Sequence, residues 1–140
     1  MKERDFEQDL ANTAASLVEP GEEVQGSCVA NRKRFLTGGV VALIIAQERL
    51  IIQGIGAEWV PHGDPVSIRS DELKSFRETG LSQKRTITNN ASITLKLKTF
   101  DGRKLTLAIG RGEGVLGDLL GGDIQKAGVK ALMLWLKRST

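Results

Sequence analysis

Three adjacent cations, Arg32, Lys33 and Arg34, are the residues of this chain whose type and spacing point most directly to chemistry. Side by side on a loop, they could meet a multivalent phosphate or an anionic membrane surface through charge-assisted hydrogen bonds. Three such charges are marginal for a membrane, at ~1 kcal/mol each near an anionic surface. The same run serves equally well as a solvated turn. Lys84 and Arg85, with Lys96, Lys98 and Lys104, could extend the patch. Lysines on the wet face of a sheet also serve solubility and edge protection.

No other constellation carries a reaction. Glu22 with Glu23 and Asp71 with Glu72 are adjacent carboxylates. Neighbours on a strand point apart, whereas acid–base catalysis needs convergent groups. Cys28 is the one cysteine, so no intrachain disulfide forms and a reducing, cytoplasmic compartment is the simplest expectation. It is expected on a buried strand face as a packing residue. His62 is the one histidine, which excludes a two-histidine metal site. Gly110, Gly112 and Gly114 follow a strand and precede a helix, but Val115 breaks the dinucleotide-binding pattern, so a hinge is expected there. Trp135 is expected in the core, while an exposed Trp59 would mark a contact surface. The chain therefore reads as non-enzymatic, with no cofactor and no metal.

The 140 residues suit one domain with its own core, and 40% hydrophobic with 26% charged residues is ordinary globular composition. A net charge of +3 leans mildly toward acidic partners. It falls short of the basic excess of a nucleic-acid binder, and 4% aromatics without tyrosine offers little for base stacking. No apolar stretch approaches transmembrane length, and the charged start is unlike a signal peptide.

The elements that must position these residues follow from periodicity. Phe6, Leu10, Thr13, Ala14, Leu17 and Val18 recur at helical spacing, which predicts an amphipathic helix over residues 4–17, stopped by Pro20 and Gly21. Residues 23–30 alternate as a strand, residues 31–39 read as a turn bearing the basic run, and residues 40–46 form an apolar, β-branched strand. A tight reversal at 46–49 leads to a strand at 50–53. Residues 59–65 read as a turn-rich connection, 66–68 as a short strand, 70–72 as a turn and 73–78 as a strand. The clearest signal is a hairpin about Asp101 and Gly102. Ile93, Leu95 and Leu97 alternate with Thr94, Lys96 and Lys98 before it, and Leu105, Leu107 and Ile109 alternate with polar residues after it. Asp123 is expected to cap a last helix with Ile124, Ala127, Ala131, Leu134 and Trp135 on one face.

Taken in order, several loose stations resemble the bacterial pleckstrin-homology-like (PH-like) domain family. They are Glu19-Pro20-Gly21-Glu22-Glu23-Val24, the strand–turn–strand of residues 41–52 with Arg49-Leu50 after the turn, the segment from Val66 to Phe76, the Asp101-Gly102 hairpin, and a closing helix with a tryptophan. The resemblance implies an α+β, mainly β fold: a bent antiparallel split barrel of about seven strands, capped by the C-terminal helix, over residues 19–140. Residues 1–18 would add an N-terminal helix that docks on its own sheet or reaches a neighbour. In eukaryotic relatives the first hairpin loop often holds inositol phosphates, and Arg32, Lys33 and Arg34 fall at a similar place. The expected function is a binding or assembly module that takes a protein partner or copies of itself. The alternative is a peripheral binder of anionic lipid or phosphate ligands through Arg32, Lys33 and Arg34. An anionic membrane surface is thus a second class of partner, and nucleic acid is not expected.

Overall fold

Alternating apolar and polar positions build one sheet whose two faces differ. The computed structural model describes residues 6–34, 37–55, 61–79, 92–110 and 122–140. Helix α1 (Phe6–Leu17) is followed by strands β1 (Val24–Arg34), β2 (Thr37–Ala46), β3 (Arg49–Ile55), β4 (Pro61–Arg69), β5 (Leu73–Thr79), β6 (Ser92–Thr99) and β7 (Lys104–Gly110), and helix α2 (Gly122–Ser139) closes the chain. The strands form a single seven-stranded sheet in the order β4-β3-β2-β1-β7-β6-β5, and every described pairing is antiparallel. This is the mainly β, α+β architecture expected, consistent with a PH-like open barrel.

The inward face of every strand feeds one core. Cys28, Leu43, Leu50, Ile68, Leu73, Leu95 and Leu107 meet Val129, Leu132, Trp135 and Leu136 of α2 in a single cluster. A sheet whose two edge strands share one core must curl around it. Its outward face over β1–β3 is covered by α1, where Leu10 and Ala14 pack on Ala42, Ile44 and Ile51. Strand β2 is therefore buried on both faces, which is why residues 41–46 are continuously apolar instead of alternating. Helix α1 docks on its own sheet.

The closing helix fills a gap in the barrel. β1 pairs with β7 only over Asn31, Arg32 and Lys33, so the earlier part of β1 has one edge without a strand. Residues two apart on a strand aim their main-chain groups at the same edge, so Val29 and Ser27 face the gap as Asn31 faces β7. Gln125 of α2 fills it at Val29. The Val29 N–H donates to Gln125 Oε1 at 2.9 Å, and Gln125 Nε2 donates to the Val29 carbonyl at 2.9 Å. One side chain thus completes the pairing a strand would have made. Gly128 lets the helix come this close: a Cβ there would lie 2.0 Å from the Ser27 carbonyl oxygen. Gly26 adds to the fit, since a Cβ on it would lie 2.8 Å from Ala131 Cβ.

Several expectations are corrected here. The first hairpin is longer than expected, and the basic run lies within β1 because β2 reaches back to Thr37 and pairs with it. Pro61 to Pro65 belong to β4 and not to a connection. β4 is a sheet edge, where proline's missing N–H costs no ladder bond. The β3–β4 register shifts between Ile52 and Gly54, opposite a stretch in which Gly63 takes φ +77. Helix α2 begins at Gly122, so Asp123 lies inside its first turn. Its buried face is Gln125, Gly128, Val129, Leu132, Trp135 and Leu136, whereas Ala127 and Leu134 are exposed. The run from Leu132 to Leu136 is apolar all round, so periodicity left the face open, and the close approach at Gly128 selects it.

Gly128→Ala should lower stability by about 2–4 kcal/mol, because the added methyl collides with main chain that cannot give way. Gly39→Ala, where a Cβ meets nothing within 4 Å, should be near neutral. Gln125→Leu should cost about 1–3 kcal/mol by leaving Val29 unpaired at both groups. Urea unfolding of the three variants checks the order.

Candidate functional site

Strand placement changes what the basic run can do. Arg32 sits opposite Gly39 and Leu107, Lys33 opposite Gly38 and Thr106, and Arg34 opposite Thr37. Successive strand positions alternate between the faces of a sheet, so this run is not the loop-borne cluster expected. Lys84 and Arg85 lie outside the described residues, as do Trp59 and residues 111–121. Of the five, the structure describes Arg32, Lys33 and Arg34.

It joins a different set. On β6 and β7 the inward residues Leu95, Leu97, Leu105 and Leu107 leave Lys96, Lys98 and Lys104 exposed on the outward face. The register sets Arg77 of β5 opposite Lys96, and Lys98 opposite Lys104. Ser75, Thr106 and Ala108 fill outward positions around them. None of the four cations has a carboxylate partner among the described residues. No described element packs on this half of the outward face, whereas α1 covers the other half. Arg77 had drawn no notice in the sequence. Only the β5–β6 register brings it to Lys96, and the residues between those strands fix no register by themselves.

The same surface ends at β5, the last strand in the sheet order. β4 and β5 are the two edges of the sheet and do not pair with each other among the described residues. The β4 edge is blunted by Pro61, Pro65 and the irregularity near Gly63. The β5 edge has no proline. It carries a register shift at its start, between Leu73 and Ser75, and then runs regularly to Thr79. Its inward Phe76 is half-buried and packs on the core, and Glu78 is the next residue on that face, opposite Leu95.

At the opposite end of the barrel, ionisable groups are tied into the fold. Glu22 and Arg49 form a two-pronged pair: Arg49 Nε donates to Oε2 and Nη2 to Oε1, both at 2.7 Å. Arg49 Nη2 also donates to the Leu17 carbonyl at 3.3 Å, so the pair pins the end of α1 to β3. The hydrogen bond from Arg49 holds the Glu22 carboxyl below the usual carboxylate range. Across the seam between the edges, Arg103 donates to Glu72 at 3.2 Å, to Asp101 at 3.0 Å and to the Ser67 carbonyl at 3.4 Å. The Thr99 hydroxyl donates to Asp101 and, with Arg103, lowers that carboxyl's pKa. Glu22 and Glu72, one from each adjacent carboxylate pair, are thus tied into the fold. An open groove of about 530 Å³ runs past Glu19, Glu22, Glu48, Arg49 and Arg69. Its arginines are already engaged, Arg49 by Glu22 and Arg69 by Asp71 at 3.5 Å.

The described residues hold no catalytic arrangement. No group of three or more His, Cys, Asp or Glu side chains among them could hold a metal. Cys28 is fully buried, and burial pushes its thiol up to about 12, so the thiolate that a nucleophile needs is not populated. His62 has its main chain in β4 opposite Gly54, away from Cys28 in β1. No described helix is long and apolar enough to cross a membrane.

No protein-family model matches the chain, and no curated protein matches it. Solved structures do resemble it. The C-terminal domain of an unknown protein from Leishmania infantum superposes with a TM-score of 0.54 at 20% identity, covering 94% of this chain and 99% of that one. The hSac2 domain from human phosphoinositide phosphatase Sac2 gives 0.55 at 11% identity, covering 97% of this chain and 85% of that one. At these identities the likeness is one of fold.

Glu22→Gln should lose about 1–2 kcal/mol at neutral pH, because the charge-assisted pair with Arg49 becomes a neutral one. The folded carboxyl titrates below its usual value of 4.5, so the wild-type advantage is present above that pH and disappears as pH falls through the lowered value. Unfolding followed from pH 7 into acid checks it. Cys28 should resist a thiol reagent in the native chain and react at once in denaturant, and a fast native reaction would show that the thiol is not sealed.

Proposed function

We propose that this chain is a non-enzymatic binding module on a PH-like scaffold, and that it takes a protein partner on the outward face of β5–β7. The observation that carries this is the asymmetry of the outward sheet surface: α1 covers β1–β3, whereas no described element covers Arg77, Lys96, Lys98 and Lys104 on β5–β7. Self-association through α1 is less well supported, because that helix spends its apolar face on β1–β3 of its own sheet. Anionic-lipid or phosphate binding through Arg32, Lys33 and Arg34 is also less well supported, because the run lies within a paired strand and not on a loop.

Solution mass should stay monomeric over a wide concentration range, with and without residues 1–18. An oligomer that dissociates on truncation would replace this reading with assembly through α1. A photo-crosslinking residue at position 75 or 77 of the full chain should give a protein adduct in cells that the same residue at Lys126 on α2 does not. Equal adducts from both places would overturn the reading.

A further inference from the structure

The register of β5, β6 and β7 lays their outward residues out as a grid. One row holds Ser75, Lys98 and Lys104, and the next holds Arg77, Lys96 and Thr106. The four cations thus run as a stripe across three strands, with cation directly opposite cation at Arg77 and Lys96 and again at Lys98 and Lys104. Like charges directly opposite on one face destabilise a sheet. No ion pair ties any of the four to a described residue, so the fold keeps two repulsive pairs without drawing on their charge. Next to the second pair, the turn between β6 and β7 presents Phe100. At 69% exposure it is the most exposed large hydrophobic residue among those described.

We propose that this face takes an acidic segment of another protein, with carboxylates along the stripe from Arg77 to Lys104 and an apolar side chain against Phe100. This assignment rests on the reading of the face as a protein-binding surface and specifies its partner. With strands about 4.8 Å apart and residues two apart on a strand about 6.8 Å apart, the stripe spans about 12 Å. One small anion cannot answer cations spread so far, whereas several carboxylates on one short segment can. A carboxylate seated between two opposed cations bonds to both and relieves their repulsion. Phe100 adds an aromatic anchor of the kind that carries binding energy at protein interfaces. An anionic bilayer is the poorer match. Asp101 follows Phe100 directly, and the Phe100 N–H donates to the Glu72 carbonyl at 2.9 Å, so a ring entering lipid would bring two acidic residues to the anionic surface. A second copy presenting the same face would bring charge of the same sign.

The test uses the full chain and short capped synthetic peptides that combine Glu with Leu, Gln with Leu, or Glu with Ala, and fluorescence anisotropy reads binding. The Glu–Leu peptide should bind about tenfold or more tighter than the Gln–Leu peptide, with the advantage shrinking as salt rises from about 50 to about 500 mM. Lys96→Glu with Lys98→Glu should remove that advantage and raise the melting temperature, because each opposed pair of cations becomes a pair of opposite charges. Arg77→Glu with Lys104→Glu changes the other member of each pair and should do the same. Lys126→Glu with Lys130→Glu, both exposed on α2, makes the same change in net charge and should leave the Glu–Leu peptide bound. Phe100→Ala should weaken the Glu–Leu peptide about fivefold and leave the Glu–Ala peptide unchanged.

Equal binding of the Glu–Leu and Gln–Leu peptides, or binding of none, overturns the acidic partner, with the crosslinking result deciding the protein-binding reading separately. Glu–Leu binding that survives both charge reversals places the anion elsewhere and overturns the site. A melting temperature that falls in both reversals shows that the cations hold the fold, which overturns their assignment to a partner. An unchanged Glu–Leu affinity in Phe100→Ala overturns the apolar contact. Binding to vesicles of phosphatidylserine in phosphatidylcholine that both reversals abolish, with no peptide bound, overturns the protein partner and puts a membrane surface in its place.

Discussion

The close approach of α2 to β1 is the constraint on which the rest of this structure depends. A barrel of seven strands that pairs β1 with β7 over only three residues has a gap in its wall. Unpaired main chain facing a core is costly, and water cannot reach it to compensate. Gln125 answers both groups of Val29 at once, and Gly128 removes the side chain that would hold the helix away. With the helix seated, Leu132, Trp135 and Leu136 complete the core that the inward residues of all seven strands share. Arg138 donates to the Gln47 carbonyl at 3.1 Å and so fixes the far end of the helix to the β2–β3 turn.

That closure determines what is left over for function. One half of the outward sheet surface is sealed by α1, and the gap is sealed by α2. The base of the seam is held by Arg103, Glu72 and the Ser67 carbonyl. The surface without a described cover is the outward face of β5–β7. Its four cations contrast with the engaged arginines elsewhere: Arg49, Arg69 and Arg103 each have a carboxylate, and the outward four have none among the described residues. Charges that hold a fold together meet opposite charges within it. The outward four stand opposite one another in the register and meet no carboxylate among the described residues, which is the physical basis for assigning them to a partner.

Legibility varied with the range of the interaction involved. The β6–β7 hairpin was plain because its alternation and its Asp-Gly turn are local, and its register runs from Lys98 opposite Lys104 to Ser92 opposite Gly110 as that turn requires. Burial of Cys28 and Trp135 was plain for the same reason. The basic run was misplaced because Asn31 to Arg34 are polar, and only pairing with Thr37 to Val40 holds them extended. Residues 61–65 were misread because Pro and Gly signal a turn locally, whereas an edge strand tolerates both. A glycine inside a helix was the one available hint of the α2 contact, since such a residue usually marks close packing.

From the sequence alone come the element types, the mainly β class, and the inward and outward faces of the last hairpin. These follow from side-chain periodicity and residue chemistry, which each segment carries within itself. The register of Arg77 opposite Lys96, the rotation of α2, the Glu22–Arg49 pair and the order of the strands were settled by tertiary structure. Each depends on which strand lies next to which, and on how closely two backbones approach. Those distances arise only when segments far apart in the chain share one core.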